Sequence, residues 1–329
     1  MKQYKQWTKR FVVLLASLLL VLLSLNYFVD PLGSHTLKRY SKFTNSDMLK
    51  FFNLKVYGDY DLALIGTSRV MKIDPIYIQE LSHKKVANLA LSAAHIQTLY
   101  PLASLIKSRG KNFIYGFDCF SLNSAGLNTS RLQEIRYHYE QLHYQYFLDK
   151  DLIAASFKTL RNLTLSRPFN YRLLREDELP AIYPKDKLEA LFHDMYANYT
   201  LAPEQMIINL AKIADENDTF VIYPKYQHYY PLFQEHDIEA KYFHAIKLLV
   251  KNTKAKVYSF YGLNEITASK ANFDNFGWHF KPKVAKPIFD EVFEKKRAHN
   301  GVLLTKENVD EVLTKTQQDI ELNYASIHP

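Results

Sequence analysis

The sequence predicts an α/β fold: a parallel sheet with helices on both faces, preceded by one N-terminal transmembrane helix and carrying a helical insertion. Three observations predict it. Five short apolar runs bounded by turn residues alternate with helical patterns of about 10–15 residues. An uncharged apolar stretch follows a cationic start. Across the 329 residues, 47% are hydrophobic and 14% aromatic, enough to bury a sizeable core and too much for a disordered chain.

The first element is the stretch Phe11 to Phe28, in which Ser17, Ser24 and Asn26 are the only polar residues. At about 1.5 Å per residue it reaches about 27 Å, close to the hydrocarbon thickness of a bilayer. Lys2, Lys5, Lys9 and Arg10 precede it without an acid. This flank should stay cytoplasmic and the following residues, from about 31 onward, should be exported. No small-x-small cleavage signal follows, so an uncleaved single-pass anchor over residues 1–30 is expected, with one exported α/β domain over 31–329.

Past the anchor, Leu62 to Ile65 reads as a first buried strand followed by a turn. Val86 to Leu91 reads as a second, leading into a helix from Ile96 to Lys107. Asn112 to Phe117 is a third, ending in a polar loop. Thr219 to Tyr223 precedes a helix from Ile238 to Lys251, and Lys256 to Phe260 precedes a loop and a final helix beginning near Pro282. Residues 126–210 break this rhythm. They hold Tyr137, His138, Tyr139, His143, Tyr144, Tyr146 and Phe147, then Pro168, Pro180, Pro184 and Pro203, and read as a helical insertion that either packs or forms an aromatic wall.

Composition excludes several function classes. The single Cys119 rules out an intramolecular disulfide framework and any Cys-based metal cluster. The net charge is +8, but half of it lies in the first ten residues, leaving the rest too dilute for a nucleic-acid footprint. His228, His236 and His244 are spaced near two helical turns, yet Pro231 interrupts the first interval, so surface histidines are expected rather than a metal site. No cofactor is implied.

Two segments carry chemistry. Gly66-Thr67-Ser68-Arg69 places a serine at the carboxyl end of the first strand, where its hydroxyl faces a cleft; the same position also suits a helix-capping serine. The run from Asn272 to Pro282, after the last predicted strand, places His279 where it can reach back to Ser68 as general base, with a nearby carboxylate to orient it.

Together these segments resemble the SGNH (GDSL-like) hydrolase superfamily, in particular its membrane-anchored O-acetyltransferase-like branch related to the alginate acetylation and D-alanyl transfer factors. The likeness covers roughly residues 60–125 and 215–292, and implies a flavodoxin-like sheet. Gly66-Thr67-Ser68-Arg69 is similar to the family's first block. Asn88 to Ala94 is similar to the second, with Ala93 where an oxyanion-hole glycine is expected. Tyr115-Gly116-Phe117-Asp118 is similar to the third, with Asp118 where the family has an oxyanion-hole asparagine, and Asn123 is an alternative donor. Asp274 and His279 match the last block, with Asp274 five residues before the histidine where three is usual.

The resemblance implies Ser68 as nucleophile, His279 as base, Asp274 as its orienter, and an oxyanion held by the N–H groups of Ser68 and Ala93. Arg69, Asn123 and His228 are expected to line the cleft. The expected activity is that of a cell-envelope O-acyltransferase or esterase acting on a polysaccharide, the former with a multi-pass membrane acyltransferase as partner. The alternative is a non-catalytic glycan-binding or scaffold protein, favoured by Asp118, by the offset of Asp274 and by the Tyr-rich insertion, whose aromatic faces can stack on sugar rings.

Overall fold

The computed structural model describes residues 2–29, 60–125, 150–164, 183–294 and 299–323. In chain order its elements are α1 (Lys2–Val29), β1 (Leu62–Ile65), α2 (Pro75–Ser82), β2 (Val86–Asn88), α3 (Ile96–Ser108), β3 (Asn112–Gly116), α4 (Lys150–Thr164), α5 (Lys185–Tyr196), α6 (Glu204–Ile213), β4 (Thr219–Ile222), α7 (Tyr229–Glu235), α8 (Ile238–Asn252), β5 (Lys256–Ser259), α9 (Glu265–Ala268), α10 (Pro282–Val292), β6 (Val302–Leu304) and α11 (Val309–Leu322). The chain forms two compact units, Met1–Asp59 with Gln133–Arg172, and Tyr60–Leu132 with Leu173–Pro329.

In the first unit, α1 is one unbroken helix, and residues 3–29 of it are long and apolar enough to cross a membrane. Its leucines and valines are largely exposed, whereas the polar Asn26 is buried against α4. There its side-chain oxygen accepts from Ser156 Oγ at 2.7 Å, which satisfies a polar group that an apolar setting would penalise.

The second unit is built on a six-stranded sheet in the order β2-β1-β3-β4-β5-β6, parallel except for the last pair. All four residues of β1 are buried, as a central parallel strand covered on both faces requires. The β1-to-β2 step runs one way across the sheet and the later parallel steps run the other way. Right-handed crossovers therefore put α2 on one face and α3, α6 and α8 on the opposite one. Contacts agree, since α6 packs between α3 and α8, and Tyr77 of α2 donates to the Asp290 carboxylate of α10.

Side chains one apart in a strand face opposite ways, so Phe113, Tyr115 and Phe117 share a face. With Phe220 of β4 they form an aromatic cluster with ring centroids 5.5 to 6.4 Å apart. Tyr242 of α8 stacks on Phe117 and donates to its carbonyl at 2.7 Å. The other face is nearly bare of side chain where β1 and β3 end. A Cβ on Gly66, at φ +148°, would lie 2.5 Å from a methyl of Val70 and 3.3 Å from the Gly116 backbone. Only glycine fits there, and Val70 fills the space and fixes the turn that carries Ser68.

Three features differ from the sequence reading. Helix α10 is not the last element, since the short antiparallel β6 and α11 follow it. Helix α6 lies within the predicted insertion but is the ordinary crossover helix between β3 and β4; Pro203, read as punctuation, stands at its N-cap. Helix α4 belongs to the first unit, and the aromatic run from Tyr137 to Phe147 falls outside the described residues.

Candidate active site

Ser68 follows the carboxyl end of β1, on a turn closed by the Val70 N–H to the Thr67 carbonyl at 3.0 Å. Its hydroxyl does not cap a helix. It lies 2.7 Å from Nε2 of His279, across 211 positions of sequence.

The loop that presents His279 explains the long Asp274 spacing. Phe273 and Phe280, both buried, pair as an antiparallel bridge, and the Asp274 N–H donates to the His279 carbonyl at 2.9 Å. Gly277, at φ +77°, turns the chain between them and donates to the Asp274 carbonyl at 3.1 Å. Asp274 Oδ1 accepts from the N–H groups of Phe276 and Gly277, both at 3.1 Å, leaving Oδ2 at 2.8 Å from His279 Nδ1. The two extra residues are absorbed by this turn. The loop is pinned to the end of β4 by the Tyr226 N–H to the Gly277 carbonyl at 2.9 Å and the Tyr229 hydroxyl to the Phe276 carbonyl at 2.5 Å.

With Nδ1–H directed to Asp274, Nε2 is the acceptor for the Ser68 hydroxyl, which is the tautomer a general base needs. Burial lowers the His279 pKa, the Asp274 carboxylate opposes that, and the nearby Arg69 adds to the lowering; the net direction is down. The base form is therefore present from below the ordinary histidine range upward. We expect activity to fall off only below about pH 6.5, measured as the acid limb of kcat/KM against pH. Stability follows the same group: in the window just below about pH 6.5 the unfolded chain takes a proton that the folded one refuses, so stability decreases as pH falls through it.

Asp118 follows β3, where a side chain that serves an oxyanion hole would have to donate, as a protonated carboxyl does, or else turn away and leave the work to backbone groups. It is 4% exposed, and its carboxylate pairs with the equally buried Arg69 and with Lys225 Nζ at 3.3 Å. It also accepts from Thr67 Oγ1 and from the Phe120 N–H, both at 3.1 Å. Burial alone raises its pKa, but the charges of Arg69 and Lys225 outweigh that and hold the carboxyl far below its ordinary value. It is neither protonated nor turned away, and an ionised carboxylate only accepts. For Lys225, burial and the Arg69 charge lower the pKa while Asp118 raises it, and the net direction is down. Arg69 also donates from Nε to the Trp278 carbonyl at 2.6 Å, tying this cluster to the residue before the base.

Ser68, Arg69, Ala93, Asp118 and His279 face one cavity of about 130 Å³, with Phe120, Met195 and Trp278 as its apolar walls. It opens at the carboxyl ends of β1 and β3, where the order of connections reverses and α/β sheets hold their ligands. Ala93 sits at φ +49°, a conformation glycine adopts freely.

Two expected cleft residues are elsewhere. Asn123 Oδ1 accepts from the Ala125 and Thr200 N–H groups and so holds two loops together, because its strand-end loop turns away after the Cys119–Leu122 helical turn. His228 is buried at the start of α7 between the rings of Tyr226 and Tyr229. The residue of that segment that reaches the site is Lys225, three positions earlier, which is buried and pairs with the cavity-lining Asp118; its place in the loop after the fourth strand was the available signal. His244 pairs with Glu204 at 2.7 Å and His236 packs on His193, so the three histidines do not converge. Among the described residues no group of three or more His, Cys, Asp or Glu side chains is placed to hold a metal.

No family model, curated protein or solved structure matches this chain.

Proposed function

We propose that the chain is a membrane-anchored SGNH-like enzyme that transfers or hydrolyses O-acyl groups of a cell-envelope polysaccharide through an acyl-Ser68 intermediate. The observation that carries this reading is the continuous Ser68–His279–Asp274 line, with contacts of 2.7 and 2.8 Å. His279 Nε2 takes the hydroxyl proton as Ser68 Oγ bonds to the acyl carbon, and Asp274 stabilises the imidazolium that forms. Collapse of the tetrahedral adduct breaks the ester bond, and the leaving alcohol takes the proton from His279. An acceptor hydroxyl, or water in an esterase, then repeats the steps in reverse.

The strand order supports the family resemblance, since β2-β1-β3-β4-β5 is the order of flavodoxin-like sheets. The offset of Asp274, which favoured a scaffold, is closed by the loop turn and weighs against catalysis no longer. Helix α1 and its cationic flank support an anchored chain with its second unit outside the cytoplasm, where a transferase draws acyl groups from a multi-pass membrane partner. The test is labelling of the full chain in detergent by a fluorophosphonate probe. We expect about one probe per chain, lost in Ser68→Ala, and a reporter active only in the cytoplasm should be silent when fused at Pro329. Absence of labelling in the folded chain would retire the serine-enzyme reading, and a bright reporter the exported one.

A further inference from the structure

The buried cluster beneath the cavity has an uneven charge. One carboxylate, Asp118, faces two cations, Arg69 and Lys225, and all three are 4% exposed or less. A buried surplus of positive charge is costly unless something answers it. Lys225 Nζ lies over the Phe233 ring at 5.4 Å, but among the described residues no second carboxylate pairs with either cation, and Arg69 lines the cavity beside Ser68, where an anion can reach it. The Arg69 guanidinium spends Nε on the Trp278 carbonyl and Nη1 on Asp118. A guanidinium carries five N–H donors, so donors remain on the group that lines the cavity.

Resting on the serine-enzyme reading above, we propose that Arg69 is a catalytic residue that receives the oxyanion developing on the acyl carbonyl, in the place where the sequence resemblance leads one to expect an asparagine at Asp118. The arrangement is selective for the transition state. A neutral ester leaves the surplus charge unanswered, whereas the tetrahedral adduct supplies the missing negative charge only while it exists. Asp118 and the Trp278 carbonyl fix the plane of the guanidinium, and Lys225 keeps Asp118 from neutralising Arg69 completely. As Ser68 Oγ bonds to the carbonyl carbon, the C=O electron pair moves onto oxygen and is held by Arg69 N–H; it returns when the alcohol leaves.

The experiment is steady-state hydrolysis of p-nitrophenyl acetate by the full chain in detergent, comparing wild type with Ser68→Ala, Arg69→Ala and Arg69→Lys. Arg69→Ala should lose about 100- to 1000-fold in kcat with KM within about threefold, and added guanidinium ion should restore about tenfold or more. Arg69→Lys, which keeps the charge and loses the fork, should be intermediate with its acid limb in place. A kcat within about threefold of wild type in Arg69→Ala overturns the proposal; if that variant does not fold, an unchanged kcat in Arg69→Lys does so. Loss without guanidinium rescue and with a displaced acid limb also overturns it, since Arg69 then acts only through the Trp278–His279 loop. The parent reading fails separately, if wild-type turnover survives Ser68→Ala.

Discussion

Ser68→Ala is expected to lower kcat toward p-nitrophenyl acetate by about 10⁴- to 10⁶-fold while leaving the fold unchanged. The size follows from the unit the residue belongs to: without the hydroxyl, His279 has no proton to take and Asp274 has no imidazolium to stabilise. Stability should move by no more than about 1 kcal/mol, the net contribution of one hydrogen bond, because Ser68 does not cap a helix and Val70, not Ser68, fills the space against Gly66 and Gly116. Both quantities are read on one preparation, by kinetics and by thermal unfolding. On the proposed function, the same variant in cells should lose O-acylation of the envelope polymer at normal protein level. Acylation that persists would mean that another protein performs the reaction and that this chain only attends it.

Asp118→Asn has its main effect on stability. Its largely buried carboxylate answers the charges of Arg69 and Lys225, and an amide leaves the two cations without that negative charge. Removing one partner of a buried ionic cluster costs about 3–5 kcal/mol, which for a unit of this size lowers Tm by about 6–20 °C. The sequence resemblance bears on activity instead, since asparagine is the residue it leads one to expect at this position and restores a donor. Differential scanning calorimetry tests the stability effect: a Tm within about 2 °C of the parent would mean that Arg69 and Lys225 find other partners. The double variant Asp118→Asn/Lys225→Met removes one of the stranded cations and should recover part of the loss.

These two residues mark what the sequence makes legible. Ser68 was readable because a four-residue apolar strand covered on both faces ends abruptly at Gly66, and strand ends are where parallel sheets gather function. His279 was readable for the same reason, by its place after the last parallel strand. The partnership of Asp118 was not, because Arg69 and Lys225 approach it from 49 positions before and 107 positions after, along turns that no local pattern specifies. The spacing of Asp274 misled because a count along the chain takes no account of the turn at Gly277. Strand β6 was missed for a different reason: three residues, one of them exposed, carry too little periodicity to register. Helix α6 carried the right amphipathic signal, but its neighbouring prolines were given more weight than its apolar face.

The 211 residues between nucleophile and base also set a clock on the molecule. At about 5–20 residues per second of synthesis, His279 leaves the ribosome about 10–40 s after Ser68. For most of that interval the strand carrying the serine exists without β4 and β5, which are made only in its later part and complete the parallel sheet. A nascent chain therefore lacks the Ser68–His279–Asp274 line until β5 and the loop after it have been made and folded into place. Truncation anywhere before residue 279 leaves Ser68 without His279, so on the proposed function premature termination yields inert protein.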